Sequence, residues 1–124
     1  MKYAIIIARV LLGLVFAVFG SNAFLHFIPM PPPPQGDAGA FISALMHSGY
    51  LYVVATLQVL GGLCLLSGRF VPLGLTLLGP VIFNILCFHT FFDRNGMPIA
   101  IIISILALFL LWTYRDKFPA IFQP

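Results

Sequence analysis

The sequence predicts an all-α protein, a bundle of four transmembrane helices, and three observations support this fold class. Hydrophobic residues make up 61% of the 124-residue chain and charged residues only 7%, against roughly 25% charged in a soluble domain. Four apolar stretches fill almost the whole chain, and each is long enough for a helix that crosses a bilayer. These stretches are continuously apolar and do not alternate, which favours helices over the strands of a membrane barrel.

The four stretches are predicted to form one membrane domain over residues 1–124. The spans cover residues 3–28, 51–66, 71–92 and 98–114.

The first span combines small residues with one cation. Its small residues, which allow the backbone of another helix to approach closely, are Gly13, Ala17, Gly20 and Ser21. The helical face predicted to point into the bundle carries Arg9, Gly13, Phe16, Gly20 and Phe27. Two interpretations of Arg9 are open, because its guanidinium can make a polar contact inside the bundle or extend to the membrane surface.

A cleaved signal peptide is the alternative interpretation of the N-terminus. The small residues of segment 20–23 resemble a cleavage site after an apolar core. Arg9 interrupts that core, however, and the apolar stretch continues to Ile28. A retained first span is therefore preferred.

A proline-rich connection precedes the second span. Pro29 ends the first span, and Pro31–Pro34 is predicted to be a stiff, extended spacer. Segment 37–49 has two open interpretations, a short helix along the membrane surface or the first turns of a long second helix. The second span itself carries Gln58 among apolar residues.

Polar residues are few in the third and fourth spans. Thr76, Pro80 and Asn84 share one face of the third span, and Pro80 removes a backbone donor there. Asn84 is predicted to be a buried amide that seeks a partner on another helix. The fourth span is apolar until Trp112, at the membrane surface.

The basic residues predict the orientation of the bundle. Five of the six lie on one side of a four-span protein, and only Arg94 lies on the other; the five are Lys2, Arg9, Arg69, Arg115 and Lys117. By the positive-inside rule both termini are predicted to be cytoplasmic. The loop 29–39 and the turn 93–97 then face outward.

With this topology the three histidines share one depth, at the outer leaflet. His26 ends the first span, His47 precedes the second and His89 closes the third. Asn22 lies four residues before His26 and Asp93 four residues after His89, which places each pair on one helix face. Asn22 is predicted to make a polar contact in the bundle, and Asp93 to fix the tautomer of His89. His47 shares a wheel position with Gln58 if one helix joins them.

The polar residues near the outer end form a candidate ligand site, which consists of His26, His47, Gln58, Asn84, His89 and Asp93. Such residues could bind a quinone head group between aromatic rings such as Phe24, Phe88 and Phe91, relay protons, or hold a metal. No metal site is predicted, since no ligand spacing typical of one is present. Histidines that merely contact water and lipid head groups are the remaining interpretation.

The sequence lacks the common motifs of catalytic and cofactor sites. It contains no nucleophile elbow, phosphate-binding loop, dinucleotide fingerprint or zinc motif, so no catalysis by this chain alone is predicted. Its basic residues are scattered and form no patch, so nucleic acid is not expected as a partner.

Segments along the whole chain resemble the DoxX-like family of small four-helix membrane proteins. The resemblance is carried by residues 8–20, 58–74, 84–89 and 112–116. It implies an integral membrane protein of the bacterial inner membrane, with the lipid bilayer and other redox subunits as partners.

The function that the resemblance implies is an accessory or quinone-contacting subunit of a membrane redox complex, with quinone as the candidate cofactor. The alternatives are a small-molecule or lipid carrier, with a water path to Gln58 or Asn84, and a purely structural subunit of a larger assembly. Substrate and oligomeric state, homo- or hetero-oligomer, are left open.

Overall fold

A computed structural model describes the backbone of residues 1–124 and all of their side chains except that of Phe122. Within this described chain the secondary structure is helical and contains no strand. The helices are α1 (Lys2–Leu25), α2 (Asp37–Ser48), α3 (Tyr50–Ser67), α4 (Val71–Phe91) and α5 (Met97–Thr113), with short 3₁₀ turns at Arg94–Gly96, Arg115–Lys117 and Pro119–Phe122. Helices α1, α3 and α4, and α5 with its preceding turn, are long and apolar enough to cross a membrane. The predicted class, an all-α bundle of four transmembrane helices, is confirmed.

The largest difference from the predicted spans lies at the end of α1. The helix stops at Leu25, three residues before the predicted limit, because His26 adopts a left-handed conformation (φ 53°, ψ 40°). That conformation cannot continue a right-handed helix. The other three spans begin and end within one residue of their predicted limits.

Helix α2 is separate from α3, so segment 37–49 does not form the first turns of a long second helix. Gly49 joins the two helices in a left-handed conformation (φ 82°), a backbone state that glycine adopts without steric cost. The helix is therefore not continuous from His47 to Gln58, and the wheel position that these residues would share in one helix does not apply.

The membrane-spanning helices form a closed bundle in which α3 lies between α1 and α4, and α5 lies between α4 and α1. Its core is apolar, and the largest fully buried side chains are Leu12, Leu65, Val71, Leu78 and Leu110. Helix α2 packs on α3 outside this core.

Helices α1 and α3 approach each other through glycine. A Cβ atom added to Gly62 would lie 2.6 Å from the Ala17 nitrogen and 2.8 Å from the Gly13 oxygen, both backbone atoms. Gly13, Phe16 and Gly20 are buried, which confirms the predicted interior face of the first span at these positions. Phe27 is 52% exposed because the helix that would have aligned it with this face has already ended.

The two ends of the bundle differ in their polar residues. The histidine end, where α1 and α4 finish and α3 begins, carries His26, His47 and His89. The basic end, where the chain begins and α5 finishes, carries Lys2, Arg9, Arg69, Arg115 and Lys117. That the basic end is cytoplasmic stays a prediction from the charges.

Candidate functional site at the histidine end

His89 is held in place at the end of α4 by the turn that follows it. Its Nδ1 lies 2.9 Å from the backbone carbonyl oxygen of Asp93. A carbonyl only accepts hydrogen bonds, so Nδ1 carries a proton. Among the described residues no group hydrogen-bonds Nε2, which leaves that nitrogen free as an acceptor in the neutral ring.

The contact predicted for the Asp93 carboxylate is thus made by the Asp93 backbone. The carboxylate instead accepts a hydrogen bond from the Asn95 backbone nitrogen at 3.2 Å and caps the short turn after α4. The spacing of four residues correctly placed the two residues together, but it could not specify which Asp93 oxygen reaches the imidazole.

Phenyl rings from α2 and the end of α4 pack together, and one of them, the ring of Phe88, contacts His89. Phe41 of α2 stacks on Phe92 with ring centroids 5.5 Å apart and packs against Phe88 at 5.6 Å. Phe88 meets the His89 ring edge-on at 5.2 Å, with an angle of 81° between the rings. These three phenylalanines and His89 are called the His89 aromatic cluster below.

The His89 aromatic cluster contains only one of the three phenylalanines predicted to line the site. Phe88 belongs to it, but Phe24 of α1 packs against Tyr52 of α3. Phe91 is 79% exposed and points away from the core.

His26 and His47 share the histidine end with His89 but not its environment. Both are exposed, whereas His89 is half-buried. Within the described residues, no group of three or more His, Cys, Asp or Glu side chains could hold a metal ion.

Asn22 fixes the path of the chain after α1. Its side chain is buried, with 5% exposure. Its Oδ1 accepts a hydrogen bond from the Ile28 nitrogen at 2.7 Å, and its Nδ2 donates to the Ile28 oxygen at 3.3 Å. The polar contact that Asn22 makes is therefore to the backbone of its own connection, and His26 is linked to it only through the backbone.

Replacing Asn22 by leucine is expected to lower the free energy of unfolding by about 2 kcal/mol, because two backbone groups of Ile28 lose their partners near the membrane. Aspartic acid at this position keeps an acceptor for the Ile28 nitrogen and, in its protonated form, a donor for the Ile28 oxygen, so it should cost less than leucine. Thermal unfolding in lipid nanodiscs measures both variants. An Asn22→Leu variant as stable as the natural chain would show that the two hydrogen bonds from Asn22 to the Ile28 backbone do not stabilise the fold.

Gln58 and Asn84 do not join the His89 aromatic cluster. Gln58 is half-buried on α3, where a Cβ atom added to Gly20 of α1 would lie 2.9 Å from the Gln58 Cβ. Asn84 is exposed, and its Nδ2 donates to the Pro80 carbonyl of its own helix at 2.8 Å. The prediction that Asn84 is a buried amide is wrong, because α4 packs through Leu75, Leu78, Val81 and Ile82 and turns its polar face outward.

Arg9 makes its polar contacts at the basic end of α3. Its Nη1 donates to the carbonyl oxygens of Leu65 at 2.8 Å and Leu66 at 3.2 Å. Both belong to the last turn of α3, whose carbonyls have no partners within the helix. The guanidinium therefore lies inside the bundle end as a helix cap.

Comparison with known proteins agrees with this architecture. The DoxX family profile matches residues 4–90, which is more than half of the chain. The chain belongs to the DoxX family. It is also 30% identical over 122 residues to the uncharacterized protein YwoB of Bacillus subtilis (strain 168), covering 93% of this chain and 79% of YwoB. No solved structure is a significant match.

Two shallow grooves mark the sides of this DoxX protein. One, of about 310 Å³, lies between α1 and α3 and is lined by Ser21, Phe24, Leu25, Thr56, Val59 and Leu60. The other, of about 220 Å³, lies between α4 and α5. Neither is lined by Gln58 or Asn84, the residues that the predicted carrier path would use.

Three residues of the site in this DoxX protein were not predicted. Phe41 and Phe92 complete the His89 aromatic cluster, and Gly96 leaves the space that the imidazole fills, since an added Cβ atom would collide with the His89 ring. The amphipathic pattern of segment 37–49 was the available signal for Phe41. No local signal pointed to Gly96, because its contact depends on how the turn after α4 folds back.

Proposed function

We propose that this integral, multi-pass membrane protein is an accessory subunit of a redox assembly in the bacterial inner membrane, and that its histidine end contacts the ring of a quinol. The observation that carries the proposal is His89, whose Nδ1 is held by the Asp93 carbonyl while Nε2 has no partner among the described residues. The imidazole meets the Phe88 ring edge-on, and Phe88 in turn packs against Phe41.

The chemistry of this cluster suits the reduced form of a quinone. A neutral imidazole with its proton on Nδ1 accepts at Nε2, and a quinol hydroxyl donates where a quinone carbonyl cannot. Phenyl rings favour a flat aromatic ring packed offset or edge-on against their outer side. The chain would bind and orient the quinol, while the electrons pass to a redox group of a partner subunit.

The His89→Asn variant is expected to weaken quinol binding by about tenfold. The asparagine amide nitrogen can take the place of Nδ1 and keep the bond to Asp93, but nothing replaces Nε2, so one ligand hydrogen bond is lost. The measurement is photolabelling of the intact chain in nanodiscs by a short-chain azidoquinone, reduced or oxidised. The natural chain should label more with the reduced probe, and this preference should disappear in the variant.

His47→Asn is the matched control, since His47 is an exposed histidine at the same end of the bundle. Labelling that is equal in the natural chain and in His89→Asn would contradict the contact with Nε2. If alanine at His26, His47 and His89 leaves both labelling and assembly with partner chains unchanged, the protein is a purely structural subunit instead.

A further inference from the structure

The exposed face of α4 carries an amide at a depth where lipid offers it no partner. Asn84 lies 13 residues after the start of α4 at Val71 and seven before its end at Phe91. At 1.5 Å of rise per residue these are about 20 Å and 10 Å, which places the amide inside a hydrocarbon core of about 30 Å. Its side chain is exposed on the surface of the bundle.

The hydrogen-bonding capacity of Asn84 is only partly used. One Nδ2 hydrogen goes to the Pro80 carbonyl at 2.8 Å. The second hydrogen and the Oδ1 acceptor have no hydrogen bond within the described residues. Pro80 has no N–H, so the Thr76 carbonyl on this same face also lacks its usual helical donor. Polar groups without partners are costly in hydrocarbon, so a covering protein surface is favoured.

Other exposed helix faces of the bundle have the composition expected for contact with lipid. The exposed positions of α5 between Ile99 and Leu111 are all isoleucine or leucine. Thr56 is an exposed polar residue of α3, but its hydroxyl donates to the Tyr52 carbonyl at 2.7 Å and thereby uses its only hydrogen. The face of α4 differs, because its polar residue retains a free donor and a free acceptor.

We propose that this face of α4 binds α4 of a second copy of the chain, with Asn84 of each protomer paired to Asn84 of the other. A two-fold axis along the membrane normal places the same residue of both copies at the same depth. A carboxamide is self-complementary, so each Nδ2 donates its free hydrogen to the opposite Oδ1. A second copy thus supplies both missing partners at the required depth. The proposal does not rest on quinol binding, since neither Asn84 nor Cys87 belongs to the His89 aromatic cluster and the pairing needs no ligand.

The contact surface follows the helical repeat of α4 on either side of the amide. The exposed residues spaced three or four apart along it are Leu73, Thr76, Pro80, Asn84 and Phe91, with the half-buried Cys87 between the last two. Cys87 is a free thiol one turn from Asn84, and the other cysteine, Cys64, belongs to α3. The two-fold arrangement would bring the two Cys87 side chains near each other.

The test is energy transfer between donor-labelled and acceptor-labelled full-length chains in lipid vesicles, measured over a range of protein-to-lipid ratios. Asn84→Leu is expected to shift the midpoint of association by about tenfold toward higher protein density, since interhelical polar contacts in membranes have effects of this order. Thr56→Leu, which removes a polar group from a different exposed face, should leave the midpoint unchanged.

Cross-linking gives a second readout that does not depend on the Asn84 variant. In Cys64→Ser chains, where Cys87 is the remaining thiol, a short bismaleimide should produce covalent dimers in vesicles, and Cys87→Ser chains should produce none. The proposal is overturned if the natural chain shows no density-dependent energy transfer, if Asn84→Leu associates as the natural chain does, or if Cys87 forms no dimer. Equal weakening by Thr56→Leu would also overturn it.

Discussion

Replacing Gly62 by valine is expected to destabilise the bundle by about 3 kcal/mol or more, or to prevent its assembly. The reason is the crossing of α1 and α3, where a Cβ atom at Gly62 would lie 2.6 Å from the Ala17 nitrogen and 2.8 Å from the Gly13 oxygen. Both atoms belong to the backbone, so no side-chain rotation can relieve the overlap. The two helices would have to move apart along their whole contact.

Substitutions of increasing size at Gly62, with a control at Gly79, test whether the overlap at Gly62 causes the loss of stability. Gly62→Ala adds only the Cβ atom and should cost less than Gly62→Val. Gly79→Ala is the control, because Gly79 also lies within a membrane-spanning helix but has nothing within 4 Å of an added Cβ atom. Alanine there gains helix propensity but places its Cβ next to the Pro80 ring, so it should change the free energy of unfolding by no more than about 1 kcal/mol.

Unfolding of the purified chains by detergent titration, followed by far-ultraviolet circular dichroism, measures the series. The order of stability should be Gly79→Ala, Gly62→Ala and then Gly62→Val, the last being the least stable. A Gly62→Val chain as stable as Gly79→Ala would show that the close approach of α1 and α3 does not hold the bundle together.

The crossing of α1 and α3 is one of the features of the fold that could be predicted from the sequence. The length and hydrophobicity of the spans follow from the thickness of the bilayer, so their number was predictable, and so were their limits except the end of α1. The interior face of α1 was predictable too, because Gly13 and Gly20 mark where another backbone can approach. Both signals lie within one helix and need no knowledge of the partner.

The side of α4 that points into the bundle could not be predicted in the same way. In a membrane, apolar residues cover both the interior and the exterior of a bundle, so hydrophobicity does not distinguish the two faces. A polar residue such as Asn84 was therefore expected to be interior. Shape decides instead: Leu78 fills the space at Gly61, where an added Cβ atom would lie 2.5 Å from its Cγ. That fit turns Pro80 and Asn84 outward.

The atomic contacts of the candidate site could not be predicted from local sequence patterns either. The spacing of His89 and Asp93 predicted that they meet, but the imidazole bonds the backbone oxygen at 2.9 Å, because the chain turns back directly after α4. Phe41 reaches the His89 aromatic cluster from a helix whose position depends on the break at Gly49. Both contacts depend on tertiary geometry that no local pattern encodes.

Replacing Arg9 by leucine is the second change with a large expected effect, a loss of about 3 kcal/mol in the free energy of unfolding. The guanidinium donates to the Leu65 and Leu66 carbonyls, which the last turn of α3 leaves without helical partners. Hydrogen bonds from a charged donor are stronger than neutral ones, and a cation also interacts favourably with the carboxyl end of a helix. Leucine removes all of these interactions at once.

The groups around the end of α3 explain which carbonyls Arg9 caps and what leaves room for its guanidinium. The Cys64 carbonyl is already satisfied by the Gly68 nitrogen at 3.2 Å, so the next two carbonyls are the ones that need a donor. Gly68 adopts φ 73°, and an added Cβ atom there would collide with the Arg9 Nη1. The glycine thus ends the helix and leaves room for the guanidinium that caps it.

Arg69→Leu separates this capping role from the general effect of charge. Arg69 is an exposed cation at the same basic end, so its loss changes the charge bias for orientation as much as the loss of Arg9 does. It should alter the free energy of unfolding by no more than about 0.5 kcal/mol. Arg9→Lys, which keeps the charge on a shorter donor, should fall between the two. Equal destabilisation by Arg9→Leu and Arg69→Leu in the same unfolding measurement would show that charge, and not the cap on α3, accounts for the effect.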